Sequence, residues 1–207
     1  MSISFRATIA SDMYQHSGQQ ELFKVAQRLP NGLVYETDFL TDVEETSLLA
    51  EIKNLPLHEA QYKSYTAKRR IMSFGGEYDF GANKLLPGSP LPAFLLPLRD
   101  KVAAWLDIPA AEFAHGLVTE YRAGTRLGWH RDVPQFAVIV GISLAGPCRM
   151  RFRPYPPRPN KKEGAFALDL EPRSVYVIRD EARWGWQHSI PATKNLRYSI
   201  TFRTYRK

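Results

Sequence analysis

The chain has 207 residues, 44% hydrophobic and 24% charged, with 28 Lys and Arg against 21 Asp and Glu for a formal net charge of +7. That length buries a full core in one compact domain, and the composition excludes a collagen-like, disulfide-dense or wholly disordered protein. No run reaches the roughly 20 apolar residues of a membrane span, the polar opening segment does not read as a signal peptide, and Cys148 is the one cysteine, so the chain reads as a soluble, cytoplasmic protein of a reducing compartment; a monomer is the expectation, with nothing in the composition to fix it.

Residues 1–25 read as a loosely ordered N-terminal extension. Thr41 followed by Glu44 has capping-box spacing, and Val43, Leu48, Leu49 and Ile52 then fall on one side, which predicts a helix over 42–54. Residues 56–92 mix Tyr, Phe and Gly with Lys and Arg and show no long period. Pro97 suits a first helical position, and Leu98, Val102, Trp105 and Leu106 make one stripe, so a second helix is expected over 97–106. From about 113 the chain changes character. Short segments rich in Val, Ile, Phe and Tyr, split by Gly, Pro and Asn, predict strands at 115–121, 127–132, 136–144, 148–153, 165–170, 174–179, 186–189 and 196–205. Such punctuation points to a β sandwich or barrel, and the earlier helices make the class α+β. Residues 26–112 carry the helices and 113–207 the β core, and the two make one globular unit.

Gly128-Trp129-His130-Arg131-Asp132 is the first stretch with chemistry. On a strand, residues i and i+2 share a face, so His130 and Asp132 converge while Arg131 points away. His188, in Gly185-Trp186-Gln187-His188, is the natural third ligand. Two histidines and one carboxylate leave open positions on an octahedral iron(II) for a bidentate cosubstrate and dioxygen. The same residues also suit a hydrolytic zinc, and an ordinary His–Asp hydrogen bond explains most isolated H-x-D triplets. Arg197-Tyr198-Ser199-Ile200-Thr201-Phe202-Arg203 alternates, with Arg197, Ser199, Thr201 and Arg203 on one face. That face either meets solvent or lines a pocket. Six residues of strand span roughly 20 Å, so two inward arginines can bracket a short dicarboxylate, which the planar guanidinium fork matches.

The order H-x-D, a distant His, then R-Y-S-I-T-F-R resembles the AlkB family of iron(II)/2-oxoglutarate dioxygenases, whose closing motif is R-x-N-x-T-F-R. Leu117-Val118-Thr119-Glu120-Tyr121, followed by Gly124 and His130, resembles the family's N-x-Y strand. The likeness covers roughly residues 30–206. It implies a double-stranded β-helix (jelly-roll) core with N-terminal helices packed on one sheet. It implies catalysis at an iron(II) held by His130, Asp132 and His188, with O2 as co-reactant. It implies 2-oxoglutarate contacts from Tyr121, Arg197, Ser199 and Arg203, with Arg197 on the distal carboxylate and Arg203 nearer the metal. Family enzymes hydroxylate N-alkyl carbons of nucleobases, and the hemiaminal collapses to aldehyde and free base. Thr119 and Ser199 stand where the family has Asn, and both retain a hydroxyl donor. Pro134 stands where repair members often carry a base-reading acid, and it has no such group.

For the substrate, Tyr62, Tyr65, Phe74, Tyr78 and Phe80 interleave with Lys63, Lys68, Arg69 and Arg70, which suits either base stacking and phosphate contact or aromatic core with a solvated basic rim. In the family this region is a lid that receives a flipped nucleotide. Arg149, Arg151 and Arg153 share one strand face, which reads either as a solvated face or as a phosphate track, and Arg158, Lys161 and Lys162 follow on a proline-rich loop. Tyr65, Arg69, Arg70, Phe74, Tyr78 and Arg151 are the expected substrate contacts, and alkylated DNA or RNA the expected partner. Two other readings stand beside this one: a 2-oxoglutarate dioxygenase acting on a protein or small molecule, and a non-catalytic jelly-roll nucleic-acid-binding module. Trp184 and Trp186 read as packing, Cys148 as core, and His16, His58 and His115 as structural or solvated.

Overall fold

Thr41 starts the first helix as its spacing predicts. The Glu44 amide donates to Thr41 Oγ1 at 3.2 Å and the Thr41 amide to Glu44 Oε2 at 2.7 Å, which satisfies two otherwise unpaired helix donors. The computed structural model describes residues 29–61, 66–79, 81–82, 84–157 and 164–207. The expected extension over 1–25 lies outside them, as do His16, Tyr62, Lys63, Tyr65, Phe80, Arg158, Lys161 and Lys162.

In chain order the strands are β1 Leu33–Glu36, β2 His58–Gln61, β3 Thr66–Phe74, β4 Glu77–Asp79, β5 Lys84–Leu86, β6 His115–Tyr121, β7 Leu127–His130, β8 Phe136–Leu144, β9 Cys148–Pro154, β10 Phe166–Leu170, β11 Val175–Ile178, β12 Trp186–Ile190 and β13 Arg197–Tyr205. The helices are α1 Asp42–Lys53, α2 Leu96–Leu106 and α3 Asp180–Trp184. Seven strands form one sheet in the order β1-β11-β8-β13-β6-β3-β2, four form a second in the order β10-β9-β12-β7, and β4-β5 is a separate hairpin. This is a double-stranded β-helix in which both sheets are antiparallel.

Alternation along β13 decides where the core sits. Tyr198, Ile200 and Phe202 face outward against Leu48 and Ile52 of α1 and Leu98 and Val102 of α2, sharing that cluster with Val118 and Ile142. Full burial of each such side chain contributes about 1.5–3 kcal/mol. Arg197, Ser199, Thr201 and Arg203 point the other way, and all four are buried. The solvated-face reading of β13 is therefore excluded, and its polar face lines the space between the sheets.

Some elements depart from expectation. β1 to β5 and α3 were not predicted. In β3 both faces carry polar groups, with Arg69 and Ser73 on one and Lys68 and Arg70 on the other, so no period-two apolar signal marks it. Helix α3 is one turn long. β7 ends at His130 rather than at 132, so strand alternation does not orient Asp132.

Candidate metal centre

His130 closes β7 and His188 sits opposite it on β12, paired in register. Their rings lie 4.2 Å apart between centroids. The Asp132 carboxylate joins them from the loop after β7, with Oδ2 3.7 Å from His188 Nε2. One ligand atom from each of the three residues lies within 4.8 Å of the others, a set that can hold a metal ion.

The surroundings fix each ligand. His130 Nδ1 stands 2.9 Å from the Gly128 carbonyl oxygen. A carbonyl only accepts, so Nδ1 carries the proton and Nε2 keeps its lone pair for a metal. Arg203 donates from Nε and Nη2 to Asp132 Oδ1 at 3.0 and 2.9 Å, which leaves Oδ2 facing the histidines. Burial disfavours charge on Asp132, but Arg203 beside it holds the carboxyl below the usual carboxylate range. Burial, then His130, pushes His188 down to about 3, and burial lowers His130 as well. Two neutral imidazoles and one carboxylate are the protonation states that ligation needs.

Arg183 holds the loop that carries Asp132. It is buried, and it donates to the carbonyls of Phe136 at 3.1 Å, Asp132 at 3.0 Å and Val133 at 2.7 Å. A lone Arg in an unpredicted helix gives no sequence signal for this role. His115 was read as bland. It lies on β6 4.6 Å from the Phe136 ring, with Nδ1 3.4 Å from Arg203 Nη1, and burial, then Arg203, pushes it down to about 3.

Deeper between the sheets stands Arg197, 1% exposed. Its Nε donates to Ser143 Oγ at 3.0 Å, and its guanidinium lies 5.1 Å from the Tyr121 ring centroid. Nη1 and Nη2 are buried and find no hydrogen-bond partner among the described residues. A buried guanidinium with idle donors is costly unless an anion meets it, so the donor set fits one carboxylate of 2-oxoglutarate. Ser199 and Thr119 are buried opposite one another on β13 and β6, and Ser199 is also opposite Ser143. Tyr176, which sequence reasoning missed, lies against Gly141, where its ring and hydroxyl occupy the place of a Cβ. Arg203, expected at the near end of the dicarboxylate, stands with its Nε and Nη2 on Asp132.

The triad opens into a cavity of about 710 Å³, within the range of small-molecule sites. Its floor includes His130, Asp132 and Arg203, and its roof brings Arg69 and Ile71 of β3 and Tyr78 of β4. Of the expected substrate contacts, Arg69 and Tyr78 line this cavity. Phe74 does not, being packed in the helix-side core. Arg70 turns to the other face of β3, with Nη2 2.7 Å from the Leu57 carbonyl and Nη1 3.3 Å from Glu120. Arg151 lies on the outer face of the smaller sheet and bonds Ser189. Tyr65 lies outside the described residues. His58 also lines the cavity, whereas Trp186 packs on Phe166 at 5.3 Å and Cys148 is buried, both as expected.

Comparison with known proteins bears on this centre. The sequence profile of the 2OG-Fe(II) oxygenase superfamily matches residues 32–203. The chain is 32% identical over 184 residues to the alkylated DNA repair protein ALKBH8 homolog of Arabidopsis thaliana, covering 79% of this chain and 51% of that protein. It thus spans about half the length of that relative. It is 30% identical over 196 residues to an uncharacterized protein of Acanthamoeba polyphaga mimivirus, covering 84% of each. The solved structure of OsALKBH1 superposes with a TM-score of 0.63 at 17% identity, over 86% of this chain and all of that one. At that identity the likeness concerns the fold.

Proposed function

The chain belongs to the 2OG-Fe(II) oxygenase superfamily, as an AlkB-like dioxygenase that uses iron(II), 2-oxoglutarate and O2, and we propose that it oxidatively dealkylates nucleobases in DNA or RNA, with release of aldehyde, succinate and CO2. Bound iron(II) with 2-oxoglutarate supplies the oxidant that hydroxylates the N-alkyl carbon. The protein's residues bind, orient and keep water out. His130, Asp132 and His188 would hold the metal, and Arg203 fixes which Asp132 oxygen faces it. Arg197, over the Tyr121 ring and tethered to Ser143, would take the distal carboxylate of 2-oxoglutarate in a water-poor interior. Ser199 and Thr119 offer hydroxyls where the AlkB pattern has amides.

The observation that carries the nucleobase reading is the roof of the cavity. Apolar Leu127, Val133 and Ile71 surround a space that also meets Tyr78 and Arg69, an aromatic and a cation suited to a base and its phosphate. The DNA-repair name of the Arabidopsis relative and the basic charge support it. Pro134 favours a different substrate for the same chemistry, a protein side chain or small molecule. Among the described residues no helix is long and apolar enough to cross a membrane, and a free, buried Cys148 fits our placement in a reducing intracellular compartment.

The test is succinate and formaldehyde release by iron(II)-loaded protein, with a single-stranded oligomer bearing 1-methyladenine against its unmethylated twin. Both products rise with the methylated oligomer if the proposal holds. Succinate that ignores every alkylated oligomer, DNA or RNA, would keep the dioxygenase and overturn the nucleobase substrate.

A further inference from the structure

The outer face of the four-stranded sheet carries a set of side chains that the metal centre does not use. On β9, Cys148, Met150 and Phe152 are buried inward while Arg149, Arg151 and Arg153 point out, spaced roughly 7 Å apart by the strand rise. Two of these arginines lie flat. Arg151 donates from Nε to Ser189 Oγ at 3.1 Å, and Arg153 from Nε to Gln187 Oε1 at 2.8 Å. Both reach across β12, so that their guanidinium carbons stand 5.1 and 4.4 Å from the ring centroid of Trp129 on β7. The contacts take Nε and orient the plane, while the terminal nitrogens make no hydrogen bond to the described residues. Arg149 has a 3.9 Å pairing with Asp169, both side chains being well exposed at 64% and 69%, and such a pair holds little.

The row leads to the cavity. β9 runs on into Tyr155, an exposed ring with the Arg131 guanidinium 3.7 Å from its centroid. Arg131 also donates to the Trp184 carbonyl at 3.0 Å, and it lines the cavity above the triad. Among outward residues of these four strands, Asp169 is the carboxylate against the three arginines. A face kept only for solubility mixes its signs.

We infer that this face is a track for the backbone of a single-stranded polynucleotide, running along β9 past Trp129 and Tyr155 and delivering the strand to the cavity mouth at Arg131. The inference rests on the nucleobase reading and adds where the flanking nucleotides lie. Planar, pre-oriented guanidinium groups match phosphate oxygens, and guanidinium and aromatic planes are surfaces on which unpaired bases stack.

Fluorescence anisotropy with labelled, unmodified single-stranded oligomers of increasing length, as DNA and as RNA, tests it. Affinity should rise with length in the wild type. R149Q with R151Q should weaken the long oligomer about tenfold or more and lower the salt slope by about 1.4, at roughly 0.7 for each lost single-strand phosphate contact. R149K with R151K keeps the charges, so it should keep the salt slope while losing part of the affinity, because an ammonium lacks the planar fork. K53Q with R99Q, on the helices over the other sheet, removes the same charge and should change binding less than about twofold if the effect is local. R149Q alone touches no hydrogen bond and guards against misfolding as the cause. Equal binding by wild type and the R149Q/R151Q pair would overturn the track while leaving the nucleobase substrate standing. A wild type that binds no oligomer would overturn the track, and succinate release with alkylated oligomers would then decide the nucleobase reading separately. Arginine-dependent binding to phosphatidylserine vesicles without oligomer binding would assign the face to a membrane and overturn the track too.

Discussion

Replacing Arg183 by Met tests whether the metal centre depends on a residue that touches neither metal nor substrate. Arg183 is 2% exposed, and its guanidinium joins α3 to three carbonyls around Asp132. Met fills much of the same volume and removes every donor. The Val133 carbonyl keeps the Phe136 amide at 3.2 Å, so the damage falls mainly on the other two. At about 1–3 kcal/mol for each orphaned acceptor, less the relief from no longer burying a charge, the net loss is about 2–3 kcal/mol. That corresponds to roughly 4–12 °C in Tm for a domain of this size. The greater effect should be on the metal, because the loop carrying Asp132 loses its anchor, and loss of such outer partners typically costs 10–100-fold in affinity. Urea unfolding of the metal-free protein and competitive iron(II) titration measure the two terms separately. R183K, with one ammonium in place of a fork, should fall between. Wild-type metal affinity in R183M would refute the reasoning even if stability dropped, since the loop would then hold Asp132 unaided.

Arg197→Met should raise the 2-oxoglutarate requirement by roughly 30–150-fold, the equivalent of about 2–3 kcal/mol for a charged hydrogen-bonded contact, with iron affinity little changed; initial rates against 2-oxoglutarate concentration check it, and an unchanged KM contradicts it. Gly141→Ala places a methyl where Tyr176 packs, and should cost about 1–3 kcal/mol of stability and raise the 2-oxoglutarate KM; full stability and wild-type KM together would show that Tyr176 has room to move. His115 and His188 are held near 3 in the fold, against an ordinary 6.5. The folded state therefore binds fewer protons than the unfolded chain between those values, and metal-free stability is lost as pH falls below about 6.5. Each histidine contributes a slope of up to about 1.4 kcal/mol per pH unit, so His115→Gln should flatten denaturation-derived stability between pH 6.5 and 5 by about that slope, and an unaltered pH profile would contradict it.

The β core was legible because the segments after 113 have period-two patterning and turn residues between them. The predicted strands 115–121 and 136–144 coincide with β6 and β8, and the helices differ by a residue at one end. The three residues that converge into a possible metal site were legible because H-x-D and a later His are side-chain chemistry that can be read without the fold. What holds them was not. Asp132 is oriented by Arg203 and Arg183 rather than by the strand that was expected to reach it, and those partners lie far along the chain. The lid was legible in composition alone. Its aromatics and cations separate only in the fold, where Arg69 and Tyr78 line the cavity while Phe74 enters the core and Arg70 caps Leu57.

The most direct measurement is iron(II) stoichiometry together with 2-oxoglutarate-dependent succinate release, for the wild type and for H130A, D132A and H188A. One iron per chain and succinate release in the wild type, with both lost in all three variants while their unfolding transitions stay cooperative, is the expected result. Full succinate release by D132A would contradict the assignment of His130, Asp132 and His188 as the site that holds the iron.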